Sequence, residues 1–330
     1  MHEFDLGSSN IELAKEIVGL PDGFDFAETN LNKVLLLGKP EERNPVRYAD
    51  IFFTIVKLFP KASPWMRYAS QAEEINGLRR AKGADMLMLA DNLDDIIKFA
   101  SDNLPNEKNK FIFLGGSYYN VGLIRRGLRR YQDAVSAQRQ ASAWYGLAGN
   151  TEKQLVYLFV ATVEEVTATF VNRDWNAINR SIFAMIAMRD HIRSSFEVYP
   201  AWMEQNASIH IGWALVMACV AGIEGSILFP QYDADFQMWK DNSTAQWKRA
   251  ALVIESYFTG YFSETVKQTS VDIHSSSADN AGLTVKIFVA LAHRGLSNEA
   301  ECKKILTDVM NHAGSDGGIP IAIATRLLEK

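Results

Sequence analysis

From Ser117 to the C-terminus, apolar residues recur at three- and four-residue intervals with polar residues between them. That spacing marks amphipathic helices. It predicts helices over Tyr118–Leu128, Tyr131–Tyr145, Glu152–Phe170, Trp175–Phe196, Ala201–Gly222, Asn242–Phe262, Asn280–His293 and Asn298–His312. Gly146–Thr151 and Gly314–Pro320 carry the Gly and Asn stops expected between helices. After Leu114 there are no alternating apolar runs at regular spacing, which disfavours a sandwich or barrel.

The N-terminal third is less regular. Leu35–Leu37, Met86–Leu89 and Phe111–Leu114 are short apolar runs beside glycine or turn-prone residues. Runs of that length fit strands and buried helix segments equally. Tyr48–Leu58 has helical spacing, and Pro60 and Pro64 then break the chain. Asn92-Leu93-Asp94-Asp95 before IIKFA predicts a capped helix start, with carboxylates near the positive end of the helix dipole. The expected fold is mainly α: a multi-helical array, helical-repeat-like or two-lobed, with an N-terminal third that is helical or mixed. The expected domains are residues 1–110 and 111–330.

Tyr118–Ala141, YYNVGLIRRGLRRYQDAVSAQRQA, reads as two helices joined by a tight turn. The segment 118–145 resembles one copy of a tetratricopeptide repeat, a helix-turn-helix unit. Tyr118 stands where the first aromatic of that unit stands, Val121-Gly122 at its Leu-Gly-like pair, and Tyr131, Ala134 and Ala141 at its second-helix positions. Gln138 takes the place of a large apolar residue, and Gly146 that of the closing proline. The resemblance implies a stacked helical array whose concave face binds peptides or another protein.

Composition narrows the class. The chain has 330 residues, enough for one large or two ordinary domains. It is 48% hydrophobic and 22% charged, which excludes a wholly disordered chain. A net charge of -5 excludes a uniformly basic nucleic-acid coat but leaves room for a local basic groove. Cys219 lies in an apolar run and Cys302 in a charged helix, so both read as free thiols. The opening MHEFDLGSSN is acidic and polar, unlike a secretory signal, and the apolar run Ile211–Ile223 is too short to span a bilayer. The expected location is intracellular and cytoplasmic, away from membranes. The triplets Asn206-Ala207-Ser208 and Asn242-Ser243-Thr244 then carry no weight as glycosylation sites.

The strongest chemical feature is cationic. Arg125, Arg126, Arg129 and Arg130 would form a broad stripe on one continuing helix, with Arg139 further along. Tyr118, Tyr119, Tyr131, Trp144 and Tyr145 flank them. Guanidinium forks pair with phosphates and aromatic faces stack on unpaired bases, so a single strand fits such a face. Arg67, Arg79, Arg80 and Lys82 would extend it. The competing reading pairs these arginines with Asp and Glu of neighbouring helices. The six histidines are scattered without zinc spacing, so neither metal nor cofactor is expected. Glu164-Glu165 sits in an apolar helix and must place one carboxylate near the core. Gly38-Lys39-Pro40 lacks the spacing of a phosphate loop, whereas Leu114-Gly115-Gly116-Ser117 before a helix is a candidate anion site. No GxSxG elbow or family-spaced Cys/His pair occurs.

These features predict a non-catalytic α-helical interaction or scaffold protein. Its binding face would carry Tyr118, Arg125, Arg126, Arg129, Arg130, Tyr131 and Arg139, and its partner would be a protein or peptide, with homo-oligomers allowed. The alternative is a self-assembling, nucleocapsid-type protein on single-stranded RNA, with MHEFDLGSSN and IATRLLEK as exchanged arms. An enzyme ranks third and would need a sheet in the N-terminal third.

Overall fold

Among the described residues the apolar stripes fold as helices. The computed structural model describes residues 71, 72, 74–79, 84–196, 201–223, 233–269, 280–312 and 318–329, and no strand occurs among them. The fold is a mainly α, multi-helical array. After a short helical stretch at 74–78 come α1 (Met86–Asn103), α2 (Lys108–Gly127), α3 (Tyr131–Leu147), α4 (Thr151–Val171), α5 (Trp175–Ser194) and α6 (Ala201–Ile223). Then follow α7 (Asp233–Asn242), α8 (Ala245–Phe258), α9 (Phe262–Thr269), α10 (Asn280–Gly295), α11 (Glu299–His312) and α12 (Gly318–Leu328). The expectations for Leu35–Leu37, Gly38-Lys39-Pro40, Tyr48–Leu58, Arg67, Arg80, Lys82 and MHEFDLGSSN lie outside the described residues.

The chain divides into two compact units, Met1–Leu158 and Phe159–Lys330. The expected boundary after Lys110 falls inside α2. Lys110 is itself a joint: its buried Nζ donates to the Ser101 carbonyl at 2.5 Å, the Leu104 carbonyl at 3.1 Å and Asn106 Oδ1 at 3.0 Å. A cation there neutralises the negative end of α1 and binds α1 to α2.

Several starts differ from expectation. α1 begins with Asp85, whose carboxylate accepts the Met88 N–H at 3.1 Å, so Asn92–Asp95 lies within the helix and not at its start. Met86–Leu89 and Phe111–Leu114 are helical. In the first unit Leu89, Leu93, Ile97 and Ala100 of α1 pack with Phe113, Leu114, Val121 and Ile124 of α2. α3 turns Ala134, Ala137 and Ala141 inward, and such small residues let helices approach closely.

One connection recurs five times among the described residues. Arg129 (φ 61°), Gly149 (72°), Arg173 (57°), Gly260 (79°) and Ser297 (61°) each occupy the left-handed region one residue beyond a helix cap. In each turn that residue's N–H donates to the carbonyl three back, and the next N–H to the carbonyl five back, at 2.8–3.3 Å. This is the Schellman stop, which satisfies the last carbonyls of a helix. The following residue then opens the next helix. Asn150, Asp174 and Asn298 accept the N–H three residues on, at 3.0, 3.0 and 3.3 Å. Stop and start are thus compressed into three residues, the geometry of a tight helical hairpin.

In the second unit α6 is buried from Ile211 to Ala221. Trp213, Trp239 and Trp247 from α6, α7 and α8 meet edge to face, with centroids 5.5 and 5.6 Å apart. The unit closes between its first and last helices: Arg326 Nη1 of α12 donates to the Phe170 carbonyl at 2.7 Å, and Arg173 pairs with Glu329 at 2.8 Å. Ile323–Leu328 is therefore docked helix and not an extended arm. α4 has the length and composition to cross a membrane, and 56% of that stretch is buried within the protein.

Candidate functional site

The α2–α3 hairpin distributes the expected residues among three environments. α2 ends at Gly127 and the chain reverses at Arg129, so the arginines do not share one helical stripe. Arg125, half-buried, donates to Asp94 of α1 at 2.9 and 3.3 Å. Arg126 is buried, as is Tyr131 at the start of α3, and both are withdrawn from any surface partner. Tyr118 is half-buried and packs against the core of the unit together with Trp144. Its phenol is pushed above the ordinary value by burial and by Asp94, against the opposing pull of Arg125.

Arg129, Arg130 and Arg139 are exposed. Arg129 stands at the tip of the turn in left-handed backbone. Arg130 Nε pairs with Asp133 at 2.7 Å across a solvated turn. Arg139 lies on the outward side of α3 with exposed Gln132, Ser136, Gln140 and Ala143. The expected basic-aromatic face thus resolves into a basic edge, with its aromatics turned inward. Tyr119 and Tyr145 pack on Tyr157 with centroids 4.8 and 5.0 Å apart. Trp144 stacks on Phe111 at 5.9 Å. Arg79 is buried and its Nε donates to Asn76 at 2.9 Å, so it does not extend the edge.

Gly115 and Gly116 lie in the interior of α2, where their amides belong to the helix ladder. The expected anion site is absent because there is no helix N-terminus there. The role of Gly115 is steric: a Cβ there would come within 2.7 Å of the Tyr145 ring. Gly122 likewise makes room for the Gln138 amide, which is fully buried and donates to the Tyr119 carbonyl at 3.4 Å. Gln138 Oε1 is buried without a hydrogen-bond partner.

Among the remaining candidates, Glu164 is buried in α4 while Glu165 is half-exposed. Cys219 and Cys302 are free and buried, and burial pushes both thiols above their ordinary value, so neither is poised as a nucleophile. His210 packs its ring against Phe159, with centroids 6.2 Å apart. Among the described residues no group of three or more His, Cys, Asp or Glu is arranged to hold a metal ion.

The sequence pattern overlooked the outward side of α1. Leu87, Met88 and Phe99 are 54%, 50% and 61% exposed, interleaved with exposed Asp91, Asp95 and Asp102. The signal exists in the sequence, since these apolar residues fall off the 89-93-97-100 stripe, but only once the helix is known to start at Met86. No family model matches the chain, and no curated protein or solved structure matches it either.

Proposed function

We propose that this chain is a non-catalytic α-helical interaction protein, whose first unit engages a protein partner through the edge formed by Arg129, Arg130 and Arg139. The observation that carries this reading is Arg129. Gly149 and Gly260 occupy the same place in two of the other turns, and an L-residue in left-handed backbone costs about 1 kcal/mol. Arg173, at the same place in another turn, is engaged in a surface ion pair with Glu329. Arg129 is exposed and no ion pair among the described residues holds it. A guanidinium presented in this way, with Arg139 on an otherwise uncharged and mostly polar helix side, suits a carboxylate-bearing surface.

Single-stranded RNA ranks second. Arg125 is occupied by Asp94, and Tyr131 is buried and so offers no ring for a base to stack on.

Arg129→Gly tests the proposal without risk to the fold. The variant should gain about 0.5–1 kcal/mol in urea unfolding, because glycine relaxes the turn. Combined with Arg139→Gln, it should lose at least tenfold in affinity for a fluorescent acidic peptide, read by anisotropy. A steep salt dependence on oligouridine with no peptide binding would move the assignment to RNA. Equal affinity of wild type and variant for the peptide would remove this edge from consideration.

A further inference from the structure

Two surfaces of opposite character lie on the first unit. One is the arginine edge. The other is the outward side of α1, where Asp91, Asp95 and Asp102 stand among Leu87, Met88 and Phe99, with Lys98 the exposed cation between them. No hydrogen bond or ion pair among the described residues engages those three carboxylates. The inward side of α1 is fully used, because Leu89, Ala90, Leu93, Ile97 and Ala100 are all in the core. The outward apolar residues are thus not a core stripe in the wrong register.

We propose that the acidic-apolar side of α1 is the docking site for the arginine edge of a second copy of this chain. The proposal rests on the interaction reading above and names the partner of that edge. Charge is complementary: Arg129, Arg130 and Arg139 against Asp91, Asp95 and Asp102. Both patches are elongated: Asp91 to Asp102 spans roughly 16 Å of α1 at about 1.5 Å per residue, and Arg139 lies about two turns into α3, beyond Arg129 and Arg130 at the turn. Exposed Leu147 at the end of α3 supplies an apolar contact beyond Arg139, as Leu87 and Met88 do beyond Asp91 on α1. Exposed Met and Phe give such a contact apolar area to desolvate the charges, which strengthens each pair. Because the two patches differ, the contact is heterologous unless a two-fold axis repeats it twice. Light scattering distinguishes a closed pair from an open chain.

The experiment is charge-swap complementation on the full chain. Wild type should show a weight-average mass that rises above the monomer with concentration and falls with added salt. Asp91→Lys with Asp95→Lys should be monomeric, and so should Arg129→Glu with Arg139→Glu. Mixing the two variants should restore assembly, because the lysines of one face the glutamates of the other. Met88→Ser with Phe99→Ser, which keeps every charge, should also weaken assembly at least tenfold. Wild type that stays monomeric at its highest soluble concentration overturns the proposal, and so does assembly unaffected by either swap. In both cases retained binding of the acidic peptide would leave the interaction reading standing, and loss of that binding would remove both.

Discussion

Gln138 shows how a single side chain can work against its own helix pair. It is fully buried between α2 and α3, its amide nitrogen has one long bond to the Tyr119 carbonyl, and its Oε1 has none. A buried acceptor without a donor carries its whole desolvation penalty, about 1–3 kcal/mol. Gln138→Met keeps the volume and flexibility of the side chain and removes that oxygen. It should raise stability by about 1 kcal/mol, measured as a higher urea midpoint with an unchanged slope. The anomaly at this position was legible in the sequence, where the repeat-like spacing calls for a large apolar residue. The fate of the arginines was not. Asp94 lies 31 positions before Arg125, and no local pattern announces an ion pair across that interval.

At the scale of elements, the long helices from α3 onward were legible because each shows several turns of its apolar stripe. α7 and α9, of 10 and 8 residues, are too short to display a period, and neither was expected. The start of α2 was obscured by Gly115-Gly116, which reads as a break but serves as the seat of Tyr145. α7 and α8 are joined by Glu255, which accepts from Lys240 at 2.6 Å and from Gln237 at 3.0 Å. Burial raises the pKa of its carboxyl, yet these two hydrogen bonds and the Lys240 charge together hold it below the ordinary value. A depressed pKa contributes stability above the unfolded value, about pH 4.3, that is lost as pH falls through the folded one. Glu255→Gln should therefore flatten the acid limb of a stability-against-pH curve while changing the alkaline side little. An acid limb identical to that of wild type would show that the α7–α8 link contributes nothing to it.

At the scale of the whole molecule, the mainly α class followed from the sequence, but the division after Leu158 did not, because it falls inside a continuous apolar helix. The second unit depends on one residue near its end. Arg326 is buried, lies 4.7 Å over the Phe170 ring and caps the Phe170 carbonyl. Arg326→Met should cost about 1.5–3 kcal/mol, since the Phe170 carbonyl loses its charged donor and keeps only the 3.3 Å bond from the Arg173 N–H. Urea unfolding followed by tryptophan fluorescence would report it, because Trp213, Trp239 and Trp247 all lie in this unit. An unchanged midpoint would mean that α12 is held by its apolar side alone. The same closure sets an order of events during biosynthesis. The first unit's helices meet close neighbours in the chain and can pack as they leave the ribosome. Phe170 must wait for a guanidinium 156 residues downstream. A nascent chain therefore carries an unfinished second unit until α12 has been made, and a chain stopped before α12 would leave that unit open to proteases.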